Sequence, residues 1–112
     1  MLLLSGDGAF GFTITEIESA VRQRLPFVAV VANDSAWGIV VCEQRRRFGE
    51  EGVVSSRTGV IRFDRVAEAL GANGIRIEDP KELTSAIKEG FSADRPTIID
   101  VPISIIGPAD IQ

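Results

Sequence analysis

The run Phe27-Val28-Ala29-Val30-Val31-Ala32 narrows the possible folds of this chain more than any other feature. It is continuously apolar, rich in β-branched valine, and opens directly after Pro26, so it reads as a strand rather than a helix. It carries no polar alternation, so both of its faces are covered, as in a parallel sheet between two layers of helices. The flanking segments fit that frame. Leu2 to Ser5 is a short apolar run ending in glycines and reads as a buried strand, followed by a glycine-rich turn from Gly6 to Gly11. Thr13-Ile14-Thr15-Glu16 has the spacing of a capping box, and Ile14, Ile17, Val21 and Leu25 then share one helical face up to Pro26. A helix is expected over Trp37 to Arg47 and a mobile surface loop over Gly49 to Gly59. Beyond it, Asp64 to Leu70 reads as a helix closed by Gly71, and Gly74 to Ile77 as a strand. Asp79-Pro80-Lys81-Glu82 opens another helix with an N-cap, an N1 proline and an acid, and Leu83, Ile87 and Phe91 form its stripe. Thr97 to Ile103 is the last strand. The alternation implies right-handed βαβ units, so the expected fold class is α/β: a three-layer Rossmann-like sandwich with a mostly parallel sheet of four strands.

Composition removes whole classes of chemistry from this chain. Its 112 residues suit one domain, and they include no histidine, no tyrosine and one cysteine. Histidine-dependent triads, Cys-His pairs, imidazole metal ligands and histidine pH switches are excluded. With Cys42 alone, so are an internal disulfide framework and a cysteine zinc site, which favours a reducing, cytoplasmic setting. The net charge of −4 argues against a nucleic-acid binder. No apolar stretch approaches the length of a membrane span, and Met1-Leu2-Leu3-Leu4 lacks the basic start of a signal peptide. The remaining sources of reactivity are carboxylates, backbone groups, lysine or arginine, a hard metal, or a bound cofactor.

Ligands of open α/β sheets collect at the carboxyl ends of the strands. There the sequence places Gly6-Asp7-Gly8-Ala9-Phe10-Gly11 and Asn33-Asp34-Ser35-Ala36-Trp37-Gly38. If the first two strands are parallel, Asp7 and Asp34 converge. The first loop also matches G-x-G-x-x-G, with an acid ending the next strand, so a dinucleotide-binding (NAD or FAD) Rossmann domain is a rival reading. Against it stands Asp7, whose carboxylate would repel a pyrophosphate lying on the loop. A divalent cation bridging the two reverses that objection, since Mg²⁺ takes one or two carboxylates and completes its octahedron with phosphate oxygens and water.

Gly6-Asp7-Gly8, 24 intervening residues and Asn33-Asp34 resemble the thiamin diphosphate motif, which runs from GDG to a pair of asparagines. More narrowly, the chain resembles the C-terminal diphosphate-binding domain of the acetolactate synthase, 2-hydroxyacyl-CoA lyase and benzoylformate decarboxylase-like branch. Thr15 to Pro26, Phe63 to Ala72, Pro80 to Leu83 and Arg95 to Val101 follow the branch's usual run. The resemblance implies thiamin diphosphate and Mg²⁺ as cofactors, with Asp7, Asp34 and the Ala36 carbonyl as metal ligands. It implies that Gly6, Gly8, Ala9 and Phe10 bind the cofactor, the amides of Gly8 and Ala9 holding its diphosphate, and that Asn33 shapes the site. Trp37, Gly38 and Ile39 would lie toward the cofactor and substrate end. It implies no catalytic side chain in this chain, because the family's activating glutamate belongs to a pyrimidine-binding domain donated by a partner chain. The implied substrate is a small 2-keto acid or an acyl-CoA-type 2-hydroxyacyl compound, and the implied assembly an oligomer.

Two departures matter. Position 34 is usually asparagine, and the aspartate here adds negative charge to the metal shell. The family's domain also begins with a strand and helix upstream of the GDG strand, so residues 1–112 correspond to part of that domain. Such a piece would bind cofactor poorly alone, and a non-catalytic fragment that only assembles with a partner is a further alternative. An incomplete sheet with an open edge would self-associate. Plainer roles are expected elsewhere. Arg45-Arg46-Arg47 reads as a solvated helix face, with a clamp for an anionic tail such as coenzyme A as the sharper alternative. Cys42 reads as a small buried hydrophobe, and Asp34 as a helix cap if not a ligand.

Overall fold

The computed structural model describes residues 1–105. Four strands form one all-parallel sheet: β1 (Leu2–Gly6), β2 (Val28–Asn33), β3 (Asn73–Arg76) and β4 (Thr97–Pro102), in the order β1-β2-β4-β3. Five helices connect and cover them: α1 (Asp7–Gly11), α2 (Glu16–Arg22), α3 (Gly38–Phe48), α4 (Phe63–Ala69) and α5 (Leu83–Ser92). The expected α/β sandwich is the fold observed.

The valine-rich run is the central strand of the core. Because strand side chains alternate, Ala29 and Val31 face one layer with Phe10, Ile17, Phe63 and Ala67, drawn from α1, α2 and α4, and with Ile98 of β4. Val28 and Val30 face the other with Ile77, Ala86 and Ile99, against α5. Residues 28 to 31 are buried throughout, which is why this strand has no polar alternation.

β1 departs from expectation. It pairs only with β2 among the described residues, and Leu2, Leu3 and Leu4 are exposed rather than buried. An apolar run ending in glycine signals a strand, but it does not say whether anything covers that strand.

The capping box at Thr13 and Glu16 does not form, and α2 has no side-chain cap. The chain leaves α1 through tight turns, and the amides of Glu16, Ile17 and Glu18 already bond to the carbonyls of Thr13, Ile14 and Thr15. The Glu16 amide that a Thr13 cap would bind is therefore already taken. Ile14, Ile17 and Val21 pack on the core as expected, whereas Leu25 lies beyond the end of α2 and is exposed. Phe91 is likewise exposed, so the stripe of α5 ends at Ile87. The Asp79 cap does form, accepting from the Lys81 amide at 3.0 Å, and Gly71 closes α4 at φ 90. The span from Gly49 to Gly59 contains one short 3-10 turn, Glu50–Gly52, and an isolated bridge from Arg57 to Ala36.

Candidate functional site

The register of β1 on β2 brings the two loops together. Gly6 pairs with Ala32, so Asp7 and the segment Asn33-Asp34 emerge side by side from neighbouring strand ends. The expected turn at Gly6 to Gly11 is instead a single helical turn opening at Asp7, with Asp7 buried. Gly8 and Ala9 fall in that first turn, where no helical carbonyl can reach their N–H groups. Phe10 turns inward, its ring edge-on to Phe63 at 5.8 Å between centroids, so only its backbone faces the site.

The second loop is shaped by consecutive side-chain turns. Asn33 Oδ1 accepts from the Ser35 amide at 3.1 Å, and Asp34 Oδ1 accepts from the Ala36 amide at 3.1 Å. Between them Ser35 sits at φ 57, in the left-handed region. This geometry directs the Ala36 carbonyl and the Trp37 ring toward Gly8, where a Cβ would stand 3.7 Å and 3.4 Å from them. Gly38 opens α3 for a steric reason, because a Cβ there would collide with Asp34 Oδ2 and lie 3.1 Å from Asp34 Cγ. The loop is braced from outside by the Trp37 amide donating to the Ser56 carbonyl at 2.8 Å and the Thr58 amide to the Ser35 carbonyl at 2.9 Å.

Asp34 and Asp7 oppose each other electrostatically. Burial pushes the Asp34 carboxyl above its ordinary range, and the neighbouring Asp7 charge pushes it further, against the Ala36 amide that favours ionisation. Two apposed carboxylates with no histidine nearby are a hard-oxygen donor set. Among the described residues no group of three or more His, Cys, Asp or Glu side chains stands together. Two carboxylates and a carbonyl would suit a cation that takes its other ligands from outside the protein, which is the habit of Mg²⁺.

Beside the pair lies a cavity of about 230 Å³ lined mainly by apolar groups, including Gly8, Phe12, Trp37, Ile61 and Phe63, with Asp7 at its wall. Phe12 packs edge-on to Trp37 at 5.0 Å, an exposed aromatic pair that the sequence reading missed. Ile39 is exposed in the first turn of α3, outside this lining. A larger hollow, about 520 Å³, opens at the other end of the sheet between Asn73, Thr97, Glu68 and Glu89. It faces the amino ends of β3 and β4, away from the edge where parallel sheets collect ligands.

The basic run keeps its plain role. Arg46 and Arg47 are bonded to Glu43, and Arg45 to Glu50, so the expected solvated face is a stitched helix end rather than an open anion clamp. Arg46 and Arg47 hold the exposed Glu43 carboxyl down to about 2. Cys42 is half-buried rather than buried. Sequence reasoning also passed over Asp100, whose signal was available: it is a lone carboxylate inside the apolar strand Thr97–Pro102, and it is fully buried.

Comparison with known proteins places this geometry. The family described as thiamine pyrophosphate enzyme, C-terminal TPP binding domain, matches residues 1–101. The chain is 39% identical over 100 residues to an acetolactate synthase of Bacillus subtilis, covering 89% of this chain and 17% of that protein. It is 31% identical over 109 residues to a 2-hydroxyacyl-CoA lyase of Oryza sativa, covering 92% of this chain and 18% of that one. The solved thiamine diphosphate-dependent 4-hydroxybenzoylformate decarboxylase of Rhodococcus jostii superposes with a TM-score of 0.84 at 26% identity, over 94% of this chain and 20% of that structure. The chain thus spans about a fifth of the length of these relatives. The family match supports thiamine pyrophosphate (thiamin diphosphate) rather than a dinucleotide as the cofactor of this domain. The chain belongs to the C-terminal TPP-binding domain family of thiamine pyrophosphate enzymes, in its acetolactate synthase, lyase and decarboxylase-like branch.

Proposed function

We propose that this chain anchors thiamin diphosphate through Mg²⁺, as part of an enzyme that makes or breaks carbon–carbon bonds in 2-keto acids or 2-hydroxyacyl compounds. The observation that carries the reading is the apposition of Asp7 and Asp34 at adjacent strand ends, with the Ala36 carbonyl turned toward Gly8. In this reading Asp7, Asp34 and the Ala36 carbonyl hold the metal. The backbone of Gly6, Gly8, Ala9 and Phe10 holds the diphosphate, while Asn33 and Gly38 shape the loop. Trp37 and Ile39 lie toward the organic end of the cofactor. When bound, the cofactor supplies the electron sink for bond cleavage or formation next to a carbonyl. The chain's own residues bind, orient and exclude water, and none of them moves a proton in the reaction. The activating acid comes from a pyrimidine-binding domain on a partner chain, in an oligomeric, cytoplasmic enzyme.

The same surface supports a second, narrower reading. Leu2, Leu3 and Leu4 on the open edge of β1 suit a piece that must assemble before it binds cofactor well. Trp37 is the only tryptophan, so its fluorescence reports the site directly. Titration with thiamin diphosphate is expected to change that signal only with Mg²⁺ present, and Asp7→Ala to abolish the change. A normal response from Asp7→Ala overturns the ligand assignment, and a response to NADH alone overturns the cofactor. Silence to both from the isolated chain, followed by a response once a partner chain is added, selects the assembly reading.

A further inference from the structure

Asp100 is fully buried in the middle of β4, where an apolar residue would cost nothing to desolvate and a carboxylate costs several kcal/mol unless it is fully paired. Its pairing leads to the site. Oδ2 accepts from Arg76 Nη1 at 2.8 Å, and Oδ1 accepts from Asn33 Nδ2 at 2.9 Å. The same Asn33 Nδ2 donates to the Ile61 carbonyl at 2.8 Å. Both of these partners are pure acceptors, so the Asn33 amide can take only one orientation. Its Oδ1 must therefore point to the Ser35 amide, the bond that bends the loop through φ 57. A left-handed residue other than glycine costs about 1 kcal/mol and persists only where its surroundings impose it. One residue further, Asp34 is turned toward Asp7, an arrangement that the two negative charges oppose.

We propose that Asp100 and Arg76 are positioning residues for the cofactor loop. Their bond to Asn33 locks the Asn33 side chain, which holds Ser35 and sets Asp34 and the Ala36 carbonyl for the metal. Neither Asp100 nor Arg76 is assigned contact with the cofactor. The role rests on the proposed Mg²⁺ site, and it makes a demand that a purely structural ion pair would not: loop order and metal affinity depend on it while the core does not.

The test is Asp100→Val in the full chain, with valine chosen because it suits the strand and needs no partner. Two readouts are compared with the wild type. Amide hydrogen exchange is followed at Ser35 and Ala36 against Val31 and Ile99, and the Mg²⁺ requirement of the Trp37 response is measured with thiamin diphosphate present. Loss of one oriented hydrogen bond is expected to speed Ser35 and Ala36 exchange about tenfold more than that of Val31 and Ile99, and to raise the Mg²⁺ requirement about tenfold. Loop and core exchange rising by the same factor would reduce the network to a structural role and overturn the proposal. So would an unchanged Mg²⁺ requirement beside a normal wild-type response. A wild-type chain with no metal response, alone or with a partner, sinks the cofactor reading itself; exchange at Ser35 then still reports whether Asp100 holds the loop, but the cofactor role falls with the reading. If Asp100→Val does not fold, Arg76→Met is expected to loosen the loop in the same way and Arg76→Lys to restore it. Equal behaviour of those two variants overturns the proposal.

Discussion

Replacing Gly38 with alanine separates the stability of the fold from the geometry of the proposed metal site. The added Cβ would overlap Asp34 Oδ2, and the carboxylate must retreat by more than about 1 Å to reach ordinary contact near 3.5 Å. The obstructing atom is the tip of a rotatable side chain, so the backbone need not move. Rotation breaks the bond from the Ala36 amide to Asp34 Oδ1, a net loss of about 0.5–1.5 kcal/mol. Alanine in place of glycine at the start of α3 returns about 0.5–1 kcal/mol through a stiffer unfolded chain and better helix propensity. The two nearly cancel, so the urea midpoint is expected to stay close to that of the wild type. Mg²⁺ accepts oxygen ligands only close to about 2.1 Å in near-octahedral geometry, so a displaced carboxylate is effectively a missing one. The Mg²⁺ needed for half of the Trp37 response is expected to rise at least about tenfold, equivalent to about 1.4 kcal/mol. Urea denaturation and the fluorescence titration on one preparation measure both quantities. A Gly38→Ala protein with wild-type Mg²⁺ affinity refutes the placement of Asp34 as a ligand, and one destabilised by several kcal/mol refutes the claim that the side chain yields.

Two further outcomes follow from the same structure. Gly74 lies against the backbone of α4, where a Cβ would overlap the Asp64 carbonyl oxygen and sit 2.7 Å from its carbon; since backbone cannot rotate aside, Gly74→Ala is expected to cost about 1–3 kcal/mol or more by urea denaturation. The Arg62 guanidinium, bonded to buried Asp64 at 2.6 and 2.8 Å, holds that carboxyl below its ordinary range. A depressed folded pKa contributes stability above the unfolded value of about 3.9, and that contribution is lost as pH falls through the folded value. Arg62→Gln is therefore expected to be less stable than the wild type near pH 7 and to converge with it below about pH 4; a gap that persists in acid would contradict the assignment.

Much of the architecture was legible because it rests on local patterns. The valine run reported a doubly covered strand, and Asp79-Pro80 and Gly71 marked helix ends through chemistry confined to a few residues. The convergence of Asp7 and Asp34 followed once the strands were taken as parallel, since parallel register puts both loops at one edge. What escaped the sequence depends on neighbours distant along the chain. The hydroxyl of Thr13 lost its capping role because the turns leaving α1 had already used the amides it would bind. Leu2 to Leu4 have the composition of a buried strand, yet burial needs a second surface that no local pattern describes. The Arg76–Asp100–Asn33 connection joins three strands, and only the β2-β4-β3 order brings its members together.

The open edge of β1 has a thermodynamic consequence. Asp7 follows Gly6, the last residue of that strand, directly, so whatever fixes β1 in place also fixes one carboxylate of the proposed metal site. A strand that docks on the edge and a cation that needs Asp7 then draw on the same ordering free energy. Linkage makes the effect mutual: each raises the affinity of the other by one common factor. On the proposed reading, docking of a strand from a second chain makes protein concentration a control on metal affinity alongside magnesium itself.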